Sequence, residues 1–147
     1  YILAYILGEK DSIIQFAERL GREKNLPVYY ILTRPKYLDI KNVLNDVGPA
    51  EFLGLVRDAA YIVTDSFHGS LFSINYQRNF YAFSKRDGLV NQNDNIRIVE
   101  FLTQLGLQAR FQDVESAKCL PDIDYKRVNF SIEQLRNMSY SYLKKIV

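Results

Sequence analysis

Short apolar runs alternate with segments of helical period along this chain, and that alternation constrains the fold more than any other feature. Ile2 to Leu7 is apolar apart from its tyrosine hydroxyl, as expected of a strand buried on both faces, and Gly8 ends it. Ser12 and Gln15 have capping-box spacing. Ile13, Ile14, Phe16, Ala17 and Leu20 then recur at helical period until Gly21, Asn25 and Pro27 stop the helix. Val28 to Leu32 is the next strand. Strand, helix and strand within about thirty residues is the signature of a parallel crossover unit.

The alternation continues. Thr33 to Gly48 is a longer connection with weak helical character. Pro49 suits a first helical position, with Phe52, Leu53, Val56 and Ala59 on one face. Tyr61 to Thr64 is a strand, followed by a helix over about 66–76 and a short strand over Phe80–Phe83. Ser84 to Gly88 and Asn91 to Asp94 are polar and read as a mobile loop. Asp94 or Asn95 caps a helix carrying Ile98, Phe101, Leu102 and Leu105, closed by Gly106. Residues 107–123 look irregular. The last segment, 124–147, is an amphipathic helix with Ile132, Leu135, Tyr142, Leu143 and Ile146. Ser131 and Gln134 mark an internal cap or break in it, and Lys144-Lys145 suit its C-terminus. The expected fold is α/β: one Rossmann-like, doubly wound domain over 1–147, with a mostly parallel sheet of about four or five strands. In such a sheet the loops after the strands share one edge. Gly8, Thr33-Arg34, Asp65 to Gly69 and Ser84 to Arg86 are therefore expected to converge.

Composition excludes several functions. A net charge of +2 without a basic run argues against nucleic-acid and membrane partners. A single cysteine, Cys119, excludes an internal disulfide and a cysteine-rich zinc site. With His68 as the one histidine, no protein-only transition-metal site and no cofactor is expected, while a carboxylate-bound Mg²⁺ stays open. No stretch approaches the ~20 apolar residues of a membrane span, and a cytoplasmic location is expected. The chain opens directly in an apolar run, without an initiator Met or leader pattern, and reads as a piece of a longer polypeptide cut at a domain boundary.

The chemistry concentrates in Tyr61-Ile62-Val63-Thr64-Asp65-Ser66-Phe67-His68-Gly69-Ser70. A strand stops there and a helix starts, capped by Asp65 or Ser66, with His68 in the first turn. Free N–H groups and the positive end of the helix dipole lie at such a start, which is where open α/β sheets take anionic ligands. His68 is either a general acid/base or phosphate contact, or a helix-start histidine bonded to a nearby carbonyl. Asp65 orients His68 or holds a ligand hydroxyl, or else it caps the helix. Ser66 reads as a cap rather than a nucleophile. Gly69 and Ser70 serve close packing, with phosphate approach as a second use. Arg97 is an anion fork, or an exposed arginine paired with Glu100 or Asp94. Lys85 and Arg86 are an anion clamp or a solvated loop. Tyr29-Tyr30, Tyr76, Phe80, Tyr81 and Phe83 read as core. Tyr140 and Tyr142 would pack the last helix on the sheet or on another domain, and Cys119 has no activating neighbours.

Thr64-Asp65-Ser66-Phe67-His68-Gly69 resembles the C-terminal domain of the polysaccharide pyruvyl transferase family. Further segments are similar in order: Val47-Gly48-Pro49-Ala50-Glu51-Phe52-Leu53, Ala59-Ala60-Tyr61-Ile62-Val63-Thr64, Phe72-Ser73-Ile74, Asn95-Ile96-Arg97-Ile98, and Leu105-Gly106-Leu107 with Arg110. The resemblance covers roughly residues 47 to 111. It implies one half of a glycosyltransferase type B-like fold, the donor-side domain of a transferase. Such an enzyme moves the pyruvyl group of phosphoenolpyruvate onto a sugar of a cell-surface polysaccharide as a ketal. The implied partners are a phosphorylated small-molecule donor, a sugar or lipid-linked saccharide acceptor, and the protein's own N-terminal domain. Many family members carry Arg two residues before the His, where this chain has Ser66; Arg97, Lys85 or Arg86 would then supply the cation. With Asn95, these residues and Ser66, Gly69 and Ser70 form the implied donor site, with His68 and Asp65 catalytic. A nucleotide-sugar glycosyltransferase and a non-catalytic binding module are the rival readings.

Overall fold

The structure, a computed structural model, describes residues 1–8, 11–33, 40–85 and 92–146. Five strands, β1 (Ile2–Ile6), β2 (Val28–Leu32), β3 (Tyr61–Thr64), β4 (Asn79–Phe83) and β5 (Phe111–Gln112), form one all-parallel sheet in the order β2-β1-β3-β4-β5. The helices are α1 (Asp11–Lys24), α2 (Pro49–Asp58), α3 (Phe67–Asn75), α4 (Gln92–Gln104) and α5 (Tyr125–Leu143). This is the expected doubly wound Rossmann-like arrangement. From β1 the chain moves outward to β2, then returns to β3 on β1's other side. The strand order thus switches between β1 and β3, and ligands in open α/β sheets bind outside the carboxyl ends of the strands at such a point.

Strand alternation builds two cores. Ile2, Ala4 and Ile6 of β1, Tyr61 and Val63 of β3, and Tyr81 and Phe83 of β4 face α1, meeting Ile13, Phe16, Ala17 and Leu20. Leu3, Ile62, Phe80 and Ala82 face the other way, against Val56 of α2, Ile74 of α3, Leu102 of α4 and Val128 of α5. A period of two on strands buried on both faces leaves almost no polar position. Phe80 and Tyr81 are core, as expected, while Tyr29 and Tyr76 are half-buried.

Three helices end alike. After α1 Asn25 takes φ 52°, Asn25 N–H donates to the Arg22 carbonyl (3.3 Å) and Leu26 N–H to that of Gly21 (2.9 Å). Gln77 (φ 56°) ends α3 and Gly106 (φ 70°) ends α4 with the same two-bond pattern. Each left-handed residue turns the chain back while satisfying carbonyls of the last turn.

Several boundaries differ from expectation. α1 begins at Asp11, so Ser12 lies inside its first turn, and the helix runs through Gly21. α4 begins at Gln92, which places Asn95 within the helix rather than at its cap. The described part of 33–48 is not helical. It runs beside β2, with Tyr30 N–H donating to the Asn42 carbonyl (3.0 Å) and Leu44 N–H to that of Tyr30 (2.8 Å). Residues 107–123 hold a 3-10 turn (Gln108–Arg110) and β5, too short for any periodicity to show. α5 is continuous across Ser131 and Gln134, because the Ser131 hydroxyl donates back to the Arg127 carbonyl (3.4 Å) and stays within the helix. Tyr140 and Tyr142 are exposed and do not pack on the sheet, since α5 runs past it. Of the stretch expected to be a mobile loop, residues 92–94 form the first turn of α4, whereas 86–88 and 91 lie outside the described residues.

Two helical glycines carry opposite expectations. A Cβ on Gly21 would lie 2.7 Å from Val28 Cγ2 and 3.1 Å from the Leu26 carbonyl oxygen, whereas Gly54 faces open space. Gly54→Ala should raise stability by about 0.5–1 kcal/mol through helix propensity. In Gly21→Ala a similar gain meets an overpacking cost of about 1–3 kcal/mol. A net loss of about 1 kcal/mol, read as a lower urea midpoint with unchanged slope, is the expected result.

Candidate active site

Thr64 ends β3 opposite Tyr5 of β1. Its hydroxyl donates to the Tyr5 carbonyl (2.7 Å) and accepts from Ser66 N–H (3.0 Å), so the chain leaves the sheet and turns at once into α3. Ser66 is the N-cap, its Oγ accepting from Gly69 N–H (3.3 Å). Gly69 sits directly on the strands: a Cβ there would lie 2.6 Å from Thr64 Oγ1 and 3.1 Å from Tyr5 Cδ1. The Ser70 hydroxyl donates to the Ser66 carbonyl (3.2 Å). Close packing is therefore the use the geometry gives Gly69, and the Ser70 hydroxyl is spent inside the helix. Of the N–H groups that open α3, those of Phe67 and His68 have no partner among the described residues.

Asp65 does not cap α3. Its Oδ1 accepts from Leu7 N–H (2.7 Å) and its Oδ2 from Gly8 N–H (2.6 Å), both in the loop after β1. It makes no hydrogen bond to His68. Burial pushes this carboxyl above its ordinary value of 3.8, against the opposing pull of the two N–H groups and of Lys85. Because the folded pKa is raised, the protonated form is favoured by folding. The contribution to stability is full below pH 3.8 and falls as pH rises through the raised value.

Around this junction lies a cleft of 180 Å³ lined by Leu7, Asp65, Ser66, Phe67, His68, Ser70, Lys85, Asn95 and Arg97, among others. His68, the second residue of α3, is exposed at its mouth and hydrogen-bonds to none of the described residues, so it is not tied to a neighbouring carbonyl. The Arg97 guanidinium lies 5.1 Å from the centre of the Phe67 ring, and the His68 ring stands edge-on to the same ring at 5.9 Å. Arg97 does not pair with Glu100, and the side chain of Asp94, the other acid expected beside it, lies outside what the structure describes. Asn95 Nδ2 donates to Ser84 Oγ (3.0 Å). Arg86 and Arg34 lie outside the described residues. The loops expected to converge do so through Gly8, Asp65 and Lys85, and the Thr33 hydroxyl donates to the Leu7 carbonyl (3.0 Å).

Sequence reasoning missed Phe67, the shelf between Arg97 and His68, and Thr64, which sets the turn. An aromatic beside a histidine looks like any core residue; a threonine ending a β-branched run just before a helix cap was the available signal for Thr64. A larger groove of 730 Å³ lies at the strands' amino ends, between the end of α4 and the start of α5, away from these groups. Among the described residues no cluster of His, Cys, Asp or Glu is placed to hold a metal, and no helix is long and apolar enough to cross a membrane.

An all-parallel sheet with helices on both faces, and a cleft carrying Lys85 and Arg97 at the carboxyl ends of its strands, defines a Rossmann-like α/β domain. The family model for polysaccharide pyruvyl transferases matches residues 1–86, more than half of the chain, and the chain belongs to that family. The match includes β1 through Lys85 and thus the whole strand-to-helix junction; Asn95 and Arg97 lie beyond it. No curated protein and no solved structure matches the chain.

Cys119 stands outside the cleft. Its thiol donates to Glu23 Oε2 (2.9 Å), and burial together with that carboxylate pushes it from 9.0 up to about 11. At pH 8 it should hold roughly a hundredfold less thiolate than an unshifted thiol and alkylate correspondingly slowly. Glu23→Gln should speed iodoacetamide labelling; an unchanged rate would show that the carboxylate plays no part.

Proposed function

We propose that this domain is the donor side of a transferase that moves the pyruvyl group of phosphoenolpyruvate onto two hydroxyls of a polysaccharide sugar. Family membership supports pyruvyl transfer to a sugar acceptor, and the observation that carries the donor reading is the cleft itself. Lys85 and Arg97 line it together with His68, and the N–H groups of Phe67 and His68, without a partner among the described residues, open the helix at its edge.

In the reaction the enol-phosphate methylene carbon gains a proton and becomes a methyl group. Two sugar hydroxyls lose their protons and bond to the adjacent carbon, and the C–O bond to phosphate breaks. One hydroxyl proton balances the new methyl; the other leaves with phosphate. His68, at the mouth with no competing hydrogen bond among the described residues, carries one of these protons between substrate groups. Arg97 forks one anionic group of the donor, its plane fixed by the Phe67 ring. Lys85 and the helix N–H groups balance the phosphate. Cationic charge thus comes from elements flanking Ser66 rather than from an arginine at its position. The sugar is received on the open side of the cleft, with a second domain completing it.

The test is to incubate the full-length protein with phosphoenolpyruvate and saccharide acceptors, following phosphate release and the ketal methyl signal by proton NMR. Coupled appearance of both is expected. Turnover of nucleotide sugars instead, or ligand binding with no turnover on any acceptor, would replace this reading with glycosyl transfer or a binding module. His68→Ala should lower kcat about 10²–10⁴-fold while leaving Tm nearly unchanged, because the ring is exposed. Arg97→Ala should weaken donor binding by about tenfold. Equal losses of Tm and kcat in His68→Ala would make the histidine structural.

A further inference from the structure

We infer that Asp65 is a positioning residue: its carboxylate latches the loop after β1 to the sheet edge, and anion binding depends on it through Leu7, Gly8 and Lys85. The inference rests on the anion-binding reading above and assigns Asp65 a role other than proton transfer.

Three observations carry it. Both carboxylate oxygens are held by main-chain N–H groups, Leu7 at 2.7 Å and Gly8 at 2.6 Å, from a loop more than fifty residues away in sequence. The loop after β4 lies against the same point. A Cβ on Gly8 would meet the Lys85 carbonyl oxygen at 2.6 Å, Asp65 Oδ2 at 2.7 Å and Lys85 Cγ at 3.4 Å. The loops following β1, β3 and β4 are therefore stacked in contact, with Gly8 between Asp65 and Lys85 and no room for a side chain. Finally, Leu7, Asp65 and Lys85 all line the cleft with His68.

A carboxylate beside an anion site is a liability, because its charge repels the ligand. Here the charge is turned toward two N–H donors and lies near Lys85. Charge and latch therefore make opposite predictions for Asp65→Asn. Removing a negative charge alone would tighten phosphate binding. Losing the latch would weaken it, because the amide offers one acceptor oxygen where two N–H donors must be met, and its NH₂ faces the other donor.

The experiment measures inorganic phosphate binding to the full-length protein by calorimetry, together with amide hydrogen exchange at Leu7 and Gly8. In Asp65→Asn the expected results are about tenfold weaker phosphate binding and about tenfold faster exchange at both amides. Gly8→Ala keeps every charge and crowds the same contact, so it should weaken phosphate binding in the same direction; it decides the matter if Asp65→Asn does not fold. Phosphate binding as tight as wild type or tighter in the variant that folds, or unchanged exchange at Leu7 and Gly8 in Asp65→Asn, overturns the latch while leaving the donor reading in place. A wild-type protein that binds no phosphate overturns the donor reading itself, and with it the role assigned to Asp65.

Discussion

The Thr64 hydroxyl is the junction on which the cleft depends. It sits where β1 and β3 stop pairing, bonded to the Tyr5 carbonyl of β1 on one side and to the N–H of Ser66, the cap of α3, on the other. Fully buried, it cannot turn to water, so both bonds must be made within the protein. Together they bring the chain out of a sheet and into a helix within two residues. The closeness of α3 to the sheet follows, because Gly69 rests on that same oxygen. His68 and Phe67 are placed by this seat rather than by contacts of their own.

The polar groups near the cleft divide into those consumed by architecture and those left over. Thr64, Ser66, Ser70 and Asp65 all meet backbone partners. His68 and Arg97 meet none among the described residues, and stand at the rim around a common aromatic ring. In the proposed donor site this division amounts to preorganisation, since the groups assigned to the ligand need not first be freed from described partners.

The fold was legible because each strand is apolar on both faces and each helix carries its stripe. Helix ends with a left-handed residue could also be read, most easily at Gly106; Asn25 and Gln77 do the same with side chains that sequence alone leaves ambiguous. What escaped was short or relational. β5 has two residues and no period. The chain beside β2 is held by main-chain bonds to Tyr30 that no side-chain pattern announces. In the site, the position of His68 at a helix start could be read, as could the cap at Ser66. The target of Asp65 could not, because Leu7 and Gly8 offer main-chain donors that carry no residue signature. The pairing of Arg97 with Phe67 joins two helices separated by a full strand and was equally hidden.

The short β5 and the covered β2 have a consequence for how the molecule behaves in company. A sheet edge is a template on which another extended chain can pair. At β2 the Val28 carbonyl accepts from the Asn42 side chain and both main-chain groups of Tyr30 are bonded to the neighbouring segment. At the far edge, the Gln112 side-chain amide exchanges two hydrogen bonds with the main chain of Lys118, standing in for a peptide group of a further strand. Growth of the sheet at the β2 edge is thus hindered from within, by one side chain and by main-chain bonds to the following segment. An extended chain arriving there would have to displace these bonds before it could pair.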